Sequence, residues 1–437
     1  MTDPTRARAA RDPGRPALRR TLGVWRVTLT GIGVILGAGV YALVGPAAAQ
    51  AGGAMWLAFL LAGLTAGLTA YSYARFARLR PKDSPEFQYT EMAFGPTVGF
   101  VAGWLMLAGD LLAAATVALG FGGYLAHVTG TPVTLNALLL VVAAAAMMLA
   151  GVGNSVGLAI VLTVVEAAGL LFIIAIGVPA WPQGEYFAMP HGFEGVWGAT
   201  ALIFFAYIGF DELGNFAEEM REPARDLPRA LFVSMAVTTV IYVLVALSVV
   251  AVAGWRDLGA SSAPLALVAR TVLGPAADRA LTVVALCATG NTVLLLLVSA
   301  SRSVYGMAEA GVLPRALSRV GRRTAIPTTA TAAVVAITAA ALFLGDVGHV
   351  AAMTDTAVLA SFVMVNLALA TLARRGRIPR ARADVLVPVM ATLLCAWLML
   401  HTGWAGLATA GVLAVTGALA AVWMRRARRE NLLGRTD

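Results

Sequence analysis

Apolar runs long enough to cross a bilayer follow one another along most of this chain, and they leave few folds open to it. A spanning helix needs about 20 apolar residues, and runs of that length recur from residue 26 to residue 424. The chain is 59% hydrophobic and 13% charged, whereas a soluble domain carries about 25% charged residues. In lipid every backbone polar group must be satisfied internally, and helices of this length do so. The fold class is therefore an all-α polytopic membrane protein. By length the runs divide into twelve, at 26–48, 54–78, 97–126, 133–152, 155–179, 193–217, 230–253, 275–301, 327–345, 350–372, 384–402 and 404–424. The last two come from one long run, split where His401-Thr402-Gly403-Trp404 interrupts it.

The positive charge has a topological explanation. Cytoplasmic loops carry the excess of Lys and Arg. With twelve spans and both ends inside, all but Arg256, Arg270 and Arg279 of the 32 basic residues fall on the cytoplasmic side. An odd number of spans would put a basic segment on the wrong face. The net charge of +9 thus says nothing of nucleic acid, and no nucleic-acid motif accompanies it. The arginine-rich segment 1–24 reads as a disordered cytoplasmic tail leading into a retained helix, not as a cleaved signal. Residues 425–437 form the cytoplasmic tail at the other end. Residues 303–323 read as a short interfacial helix followed by Pro314 and arginines.

Two of the runs are interrupted near their middles. The first holds Gly31, Gly33, Gly37, Gly39 and Gly45, and each glycine weakens a helix by about 1 kcal/mol relative to alanine. Such a cluster serves close helix packing or a break that turns backbone groups toward a ligand. The sixth run, Ala201 to Glu219, loses its apolar character at Gly209, with Asp211 and Glu212 at mid-membrane depth. Interrupted helices five spans apart point to an inverted-repeat transporter with its site at the midplane. The two copies would be residues 25–180 and 193–373, with 384–424 added after them.

The stretch 31–45, Gly-Ile-Gly-Val-Ile-Leu-Gly-Ala-Gly-Val-Tyr-Ala-Leu-Val-Gly, resembles the first-helix signature of amino acid permeases of the amino acid–polyamine–organocation superfamily. Residues 204–229, with Phe-Phe-Ala-Tyr-Ile-Gly-Phe-Asp and then Ala-Glu-Glu-Met-Arg-Glu-Pro-Ala-Arg-Asp-Leu-Pro-Arg, resemble the sixth-helix signature. Ser301-Arg302-Ser303-Val-Tyr-Gly-Met-Ala and Gly311-Val-Leu-Pro314 are similar to the end of the eighth helix. The resemblance implies a LeuT-type 5+5 inverted repeat with broken helices 1 and 6, an architecture like the bacterial cationic amino acid transporters, and secondary transport of amino acids.

On this reading Ile35, Gly37, Ala38 and Gly39 frame the first break, whose free amides and half-helix N-terminus suit a substrate carboxylate. Ala206, Tyr207, Ile208 and Gly209 would supply carbonyls for the α-ammonium. By resemblance Phe205 matches an aromatic that closes over substrate; ordinary packing is the other reading of it, as of Phe204 and Tyr207. Charged groups at membrane depth are functional candidates. Asp211 reads first as a cap of the second half-helix, with substrate contact secondary. Asp110 would attract a cationic substrate or bond polar neighbours. Glu218, Glu219, Arg221, Glu222 and Arg225 read as a solvated cluster or an inner-gate network.

Glu166 stands in helix 5, where several members of the family carry a lysine thought to bear the coupling proton. Here the single lysine, Lys82, lies in a loop. Desolvation favours the neutral form of a buried carboxyl, so Glu166 is either a proton carrier or a permanently paired structural group. Asp355, His127, His191 and His401 read as interfacial, near the ends of spans.

No Gly-x-x-x-x-Gly-Lys loop is present. The histidines lack paired spacing, the two cysteines lie within apolar runs, and no metal site or cofactor is implied. The expected function is alternating-access transport at the plasma membrane, by proton-coupled uptake of neutral or cationic amino acids. Exchange of amino acids or amines without proton coupling, and a transport-inactive sensor, are the alternatives. No arginine lies mid-membrane, which disfavours acidic substrates. The partners are a small amino acid or amine, a proton and the bilayer.

Overall fold

The computed structural model describes residues 23–79, 85–150, 156–214, 220–309, 313–321, 327–378 and 381–433. Most of the basic N-terminal tail, Lys82, Glu218, Glu219 and Gly311 lie outside these residues. Every described element is helical. Nine stretches among them are long and apolar enough to cross a membrane, and four shorter apolar helices accompany them.

The first apolar run is two helices. α1 (Val24–Ile35) ends at Leu36, and α2 (Gly39–Ala51) begins after Ala38. A short turn leads into α3 (Met55–Leu79). The polar connection after it contains a helix, α4 (Pro85–Phe94), that length alone did not reveal. α5 (Pro96–Thr129) starts with proline in its first turn and stops at Gly130, which takes the left-handed conformation. α6 (Val133–Leu149) and α7 (Val156–Gly177) complete the first half.

α8 (Gly192–Ile203) tightens into a single 3-10 turn over Phe204–Tyr207 and then loses helical form at Ile208. α9 (Pro223–Ala260) is kinked at Gly254, whose φ of 71° no helix accommodates. α10 (Pro264–Leu273) is a short helix on the following connection. α11 (Pro275–Glu309) continues without interruption through Ser303–Ala308. The separate interfacial helix expected there is therefore the last two turns of a long one. Gly306 has no neighbour close enough to force a break, and alanine, methionine and glutamate sustain helix there. α12 (Thr328–Ala341), α13 (Val347–Arg374), α14 (Ala383–His401) and α15 (Gly403–Leu433) follow. Gly403, at φ 81°, makes the split between the last two at the position expected from the sequence.

α2 lies inside the bundle, packed against α8, α9, α5, α10 and α13. α1 packs along α9 and touches α7. The outward faces carry large apolar side chains such as Leu64, Leu139, Val164, Val240, Leu393 and Val415. Water does not reward such a surface, and lipid does.

Candidate functional site

The two interruptions face each other. A Cβ on Gly39 would lie 2.8 Å from the Cα of Ala206, so the start of α2 and the 3-10 turn after α8 meet backbone to backbone. Gly209, at φ 119°, sits against the side chain and carbonyl of Val34. Glycine takes that conformation without strain, and it lets the chain leave the helix beside α1. Gly31 and Gly33 are packing glycines: Cβ atoms there would collide with Leu213 and Ser234, and with Thr163.

Tyrosine hydroxyls hold the breaks. Tyr242 of α9 points its hydroxyl at two carbonyls, Ile35 O at 2.6 Å and Ala206 O at 3.1 Å. Those carbonyls have left their helices, and one buried donor spans both. Tyr41 donates to the backbone carbonyl of Glu166 at 2.8 Å, and Tyr124 donates to Tyr41 O. Thr292 of α11 accepts the amide of Ala38 at 3.4 Å. The sequence reading passed over these residues because it searched mid-membrane positions for charge. A tyrosine within an apolar run was the available signal, since its buried hydroxyl must find a partner.

The expected site residues gather here, with differing exposure. Ile35, Ala38, Gly39, Phe205, Ala206, Tyr207 and Asp211 are buried, while Gly37, Ile208, Gly209 and Asp110 retain partial exposure. Val34 beside them is 39% exposed, which places the accessible side of the break where α1 enters. Phe205 sits in an apolar cluster with Leu202, Ala42, Leu43 and residues of α5 and α11. The Tyr207 side chain turns away and donates to Phe59 O at 2.8 Å, tying the 3-10 turn to α3. The carbonyl of Ala206 is engaged by Tyr242, and that of Gly209 accepts from the amide of Glu212.

Asp211 acts in the direction opposite to a helix N-cap. Its Oδ1 accepts the amide of Gly209, two residues earlier, at 3.0 Å, and so closes the turn behind it. Asp110 on α5 lies within electrostatic reach of Glu212, Asp211 and Glu86. Glu86 at the start of α4 is itself buried, and Tyr73 donates to its Oε1 at 2.6 Å. Burial pushes the Glu86 carboxyl up to about 7, against the pull of the Tyr73 hydroxyl, and the charge of Glu212 adds to the rise. Four acids, Glu86, Asp110, Asp211 and Glu212, thus lie within electrostatic reach of one another.

Glu166 is 2% exposed, and among the described residues its Oε1 has no hydrogen-bond partner. Asp355 departs from the sequence reading. It was expected near an interface, but α13 begins three residues earlier than the apolar run and packs against α5, α14, α15 and α4. Asp355 is 0% exposed, and among the described residues neither carboxyl oxygen has a partner. The three histidines do lie near helix ends: His127 contacts Asp278 at 3.0 Å, His401 faces Glu194 at 3.4 Å, and His191 bonds Gln50 O. Among the described residues no group of His, Cys, Asp and Glu is arranged to hold a metal ion. A cavity of about 550 Å³ opens at the surface between Gly23–Arg26 and Arg221, Glu222 and Asp226; none of its lining residues belongs to the breaks.

A family model described as amino acid permease matches residues 22–424. The chain is 29% identical to a branched-chain amino acid permease of Bacillus subtilis, over 90% of each protein. It is 28% identical to the methylthioribose transporter of the same organism, over 88% of each. It is 29% identical to the vacuolar cationic amino acid transporter 2 of Arabidopsis thaliana, over 80% of this chain and 59% of that one. The family and these relatives are transporters and not enzymes, and the chain belongs to the amino acid permease family.

Proposed function

We propose that this protein is a secondary active transporter that moves neutral or cationic amino acids by alternating access, with a proton as the coupling ion. The observation that carries the reading is the backbone meeting of Gly39 and Ala206, which sets two interrupted helices face to face inside an apolar bundle. In lipid, irregular backbone is tolerated where it lines a cavity or is buried in protein, and paired breaks are the hallmark of a midplane substrate site.

The proposed architecture has twelve spans. α1 with α2, and α8 with the segment after it, form the broken first and sixth. The inverted halves are 25–180 and 193–373. The arginine distribution supports cytoplasmic termini and a place in the plasma membrane. In the site, the amides of Gly37 and Gly39 at the positive end of α2, on either side of the Ala38 amide that Thr292 holds, receive the substrate carboxylate. Carbonyls of the 206–209 segment, beside Ile35, receive the ammonium, and Phe205 walls off the side chain. Asp110 and Asp211 set a negative field that favours neutral or cationic substrates over acidic ones. Glu166, with an unpartnered carboxyl oxygen, carries the coupling proton.

Purified protein in liposomes tests this. Counterflow and uptake are measured for branched-chain and cationic amino acids, polyamines and methylthioribose, with imposed proton or sodium gradients. Saturable amino acid uptake that follows the proton gradient, and is lost in Glu166→Gln, is the expected result. Absence of saturable uptake or exchange of any amino acid or amine rejects the reading. Glu166→Gln with uphill uptake of unchanged pH dependence rejects the role of that residue.

A further inference from the structure

Asp355 is a fully buried acid that the site above does not use, and among the described residues neither of its carboxyl oxygens has a hydrogen-bond partner. Its depth follows from contacts along α5 and α2. A Cβ on Gly120 would lie 2.6 Å from Ala42 Cβ, so these two positions are level. Four residues back along α5 from Gly120, about 6 Å at 1.5 Å per residue, stands Thr116. The same step back along α2 from Ala42 reaches Ala38 and the break. Thr116 Oγ1 touches Thr354 Oγ1 at 3.3 Å. Asp355 is the next residue and lies between the level of the first helix break and the turn after α14, where Thr356 bonds Thr402.

Its direction follows from the helix period. Asp355, Leu359, Phe362 and Asn366 share one face of α13. Phe362 packs against Phe204 and Phe210, with ring centroids 6.1 and 5.3 Å apart. Asn366 bonds Thr69 and Ser72 of α3. That face looks at the second break and at α3.

Among the described residues, the threonine hydroxyls beside Asp355 are turned to other acceptors. Thr116 and Thr354 each direct a hydroxyl to a carbonyl of their own helix, Leu112 O and Val350 O. Thr356 likewise bonds Ala352 O and Thr402. Five charged or titratable groups on the packed elements are engaged elsewhere. Arg75 and Tyr71 bond Asp384, His401 faces Glu194, Tyr73 bonds Glu86, and Tyr41 bonds the Glu166 carbonyl. Asp110 on α5 belongs with the acids below the break. An ionised carboxylate with neither donor nor cation is expensive at this depth. With 0% of its surface accessible, Asp355 has no open space beside it among the described residues for an ammonium group. A proton is the cation that needs no space.

We propose that Asp355 is a second proton-binding carboxyl of the transport cycle, protonated in the conformation described here. This rests on the proton-coupled reading above and adds to it a site across α2 from Glu166. The carboxylic acid forms when Asp355 takes a proton from water on one side of the membrane. It is broken when the O–H proton passes to water admitted from the other side, leaving the carboxylate.

The test uses the full-length protein in liposomes as wild type, E166Q and D355N. The amino acid is whichever of the panel above the wild type exchanges. Infrared difference spectra on substrate addition record the carbonyl stretch of protonated carboxylic acids. The proposal expects D355N to lose a protonated-acid band that E166Q keeps, and to lose proton-driven accumulation. D355N with the wild-type band and the wild-type pH profile of accumulation overturns it. If the wild type exchanges substrate but ignores a proton gradient, the coupled reading itself fails. In that case the spectra still decide whether Asp355 carries a proton. Should D355N not fold, D355S serves in the same measurements, and an unchanged band in it overturns the proposal equally.

Discussion

The hydroxyl of Tyr242 lies 2.6 Å from the carbonyl oxygen of Ile35, the last residue of α1, and reaches Ala206 O in the opposite break from the same point. Its ring stands edge-on to Tyr207 at 5.4 Å and tilted against Phe59 at 5.4 Å. One donor on α9 therefore fixes the spacing of the two interrupted helices. Tyr242→Phe keeps the ring and deletes the donor. Two buried carbonyls then share the deficit, at a cost of about 1–3 kcal/mol. The expected outcome is a lower melting temperature in detergent and weakened substrate binding, with insertion retained. Unchanged melting and binding would show that the hydroxyl holds nothing.

Gly39 tests the proposed site by size. Gly39→Val places a branched side chain against the Ala206 backbone, where even a Cβ comes within 2.8 Å. Overpacking of this kind costs about 1–3 kcal/mol, and the adjustment falls on the helix breaks. Uptake in liposomes is expected to disappear while the variant still purifies as folded protein. Gly67 is the control, because nothing lies within 4 Å of its Cβ position; Gly67→Ala is expected to transport normally.

Glu86 gives a pH dependence of stability with a definite sign. Burial lifts its carboxyl from the ordinary 4.5 to about 7. Between those values the folded state holds a proton that the unfolded chain has released. The stabilisation is complete below about 4.5 and is lost as pH rises through about 7. Melting temperatures measured from pH 5 to 8 are expected to fall with rising pH more steeply for wild type than for Glu86→Gln. Parallel curves would remove Glu86 from the account.

The link between α3 and α14 is an ion pair. Asp384 is fully buried and accepts from Arg75, from Tyr71 at 2.8 Å and from the amide of Ala381 at 3.0 Å. Removing one partner of a buried pair costs about 3–5 kcal/mol, because the other charge stays behind. Arg75→Met is expected to lower thermal stability strongly. Arg75→Met with Asp384→Leu is expected to recover part of it, as an apolar replacement for both charges. Equal stability of the single and double variants would show that the pair is not coupled.

The fold class was legible because lipid permits few solutions. Apolar length sets the helices, and Gly403 ends one of them where His401-Thr402-Gly403 breaks the run. The interruptions at Gly37–Gly39 and Gly209 were legible too, since glycine clusters and mid-membrane acids conflict with an unbroken span. Local length and composition were less able to find α4, which hides in a polar connection, or to end α11, which runs on through Ser303. They also misplaced Asp355, because distance from the end of an apolar run does not measure enclosure by other helices.

The sequence by itself determined that this chain spans a membrane, that two of its helices are interrupted and that acids such as Glu166 and Asp211 lie within apolar runs. These are properties of single segments, decided by hydropathy and by glycine. Only the tertiary structure decided that Tyr242 spans both breaks, that Asp211 closes backward onto Gly209, and that Asp355 has no partner among the described residues. Each of those depends on which side chain a neighbouring helix presents at the same depth. Packing between residues far apart in the chain sets that, and no window along the sequence contains it.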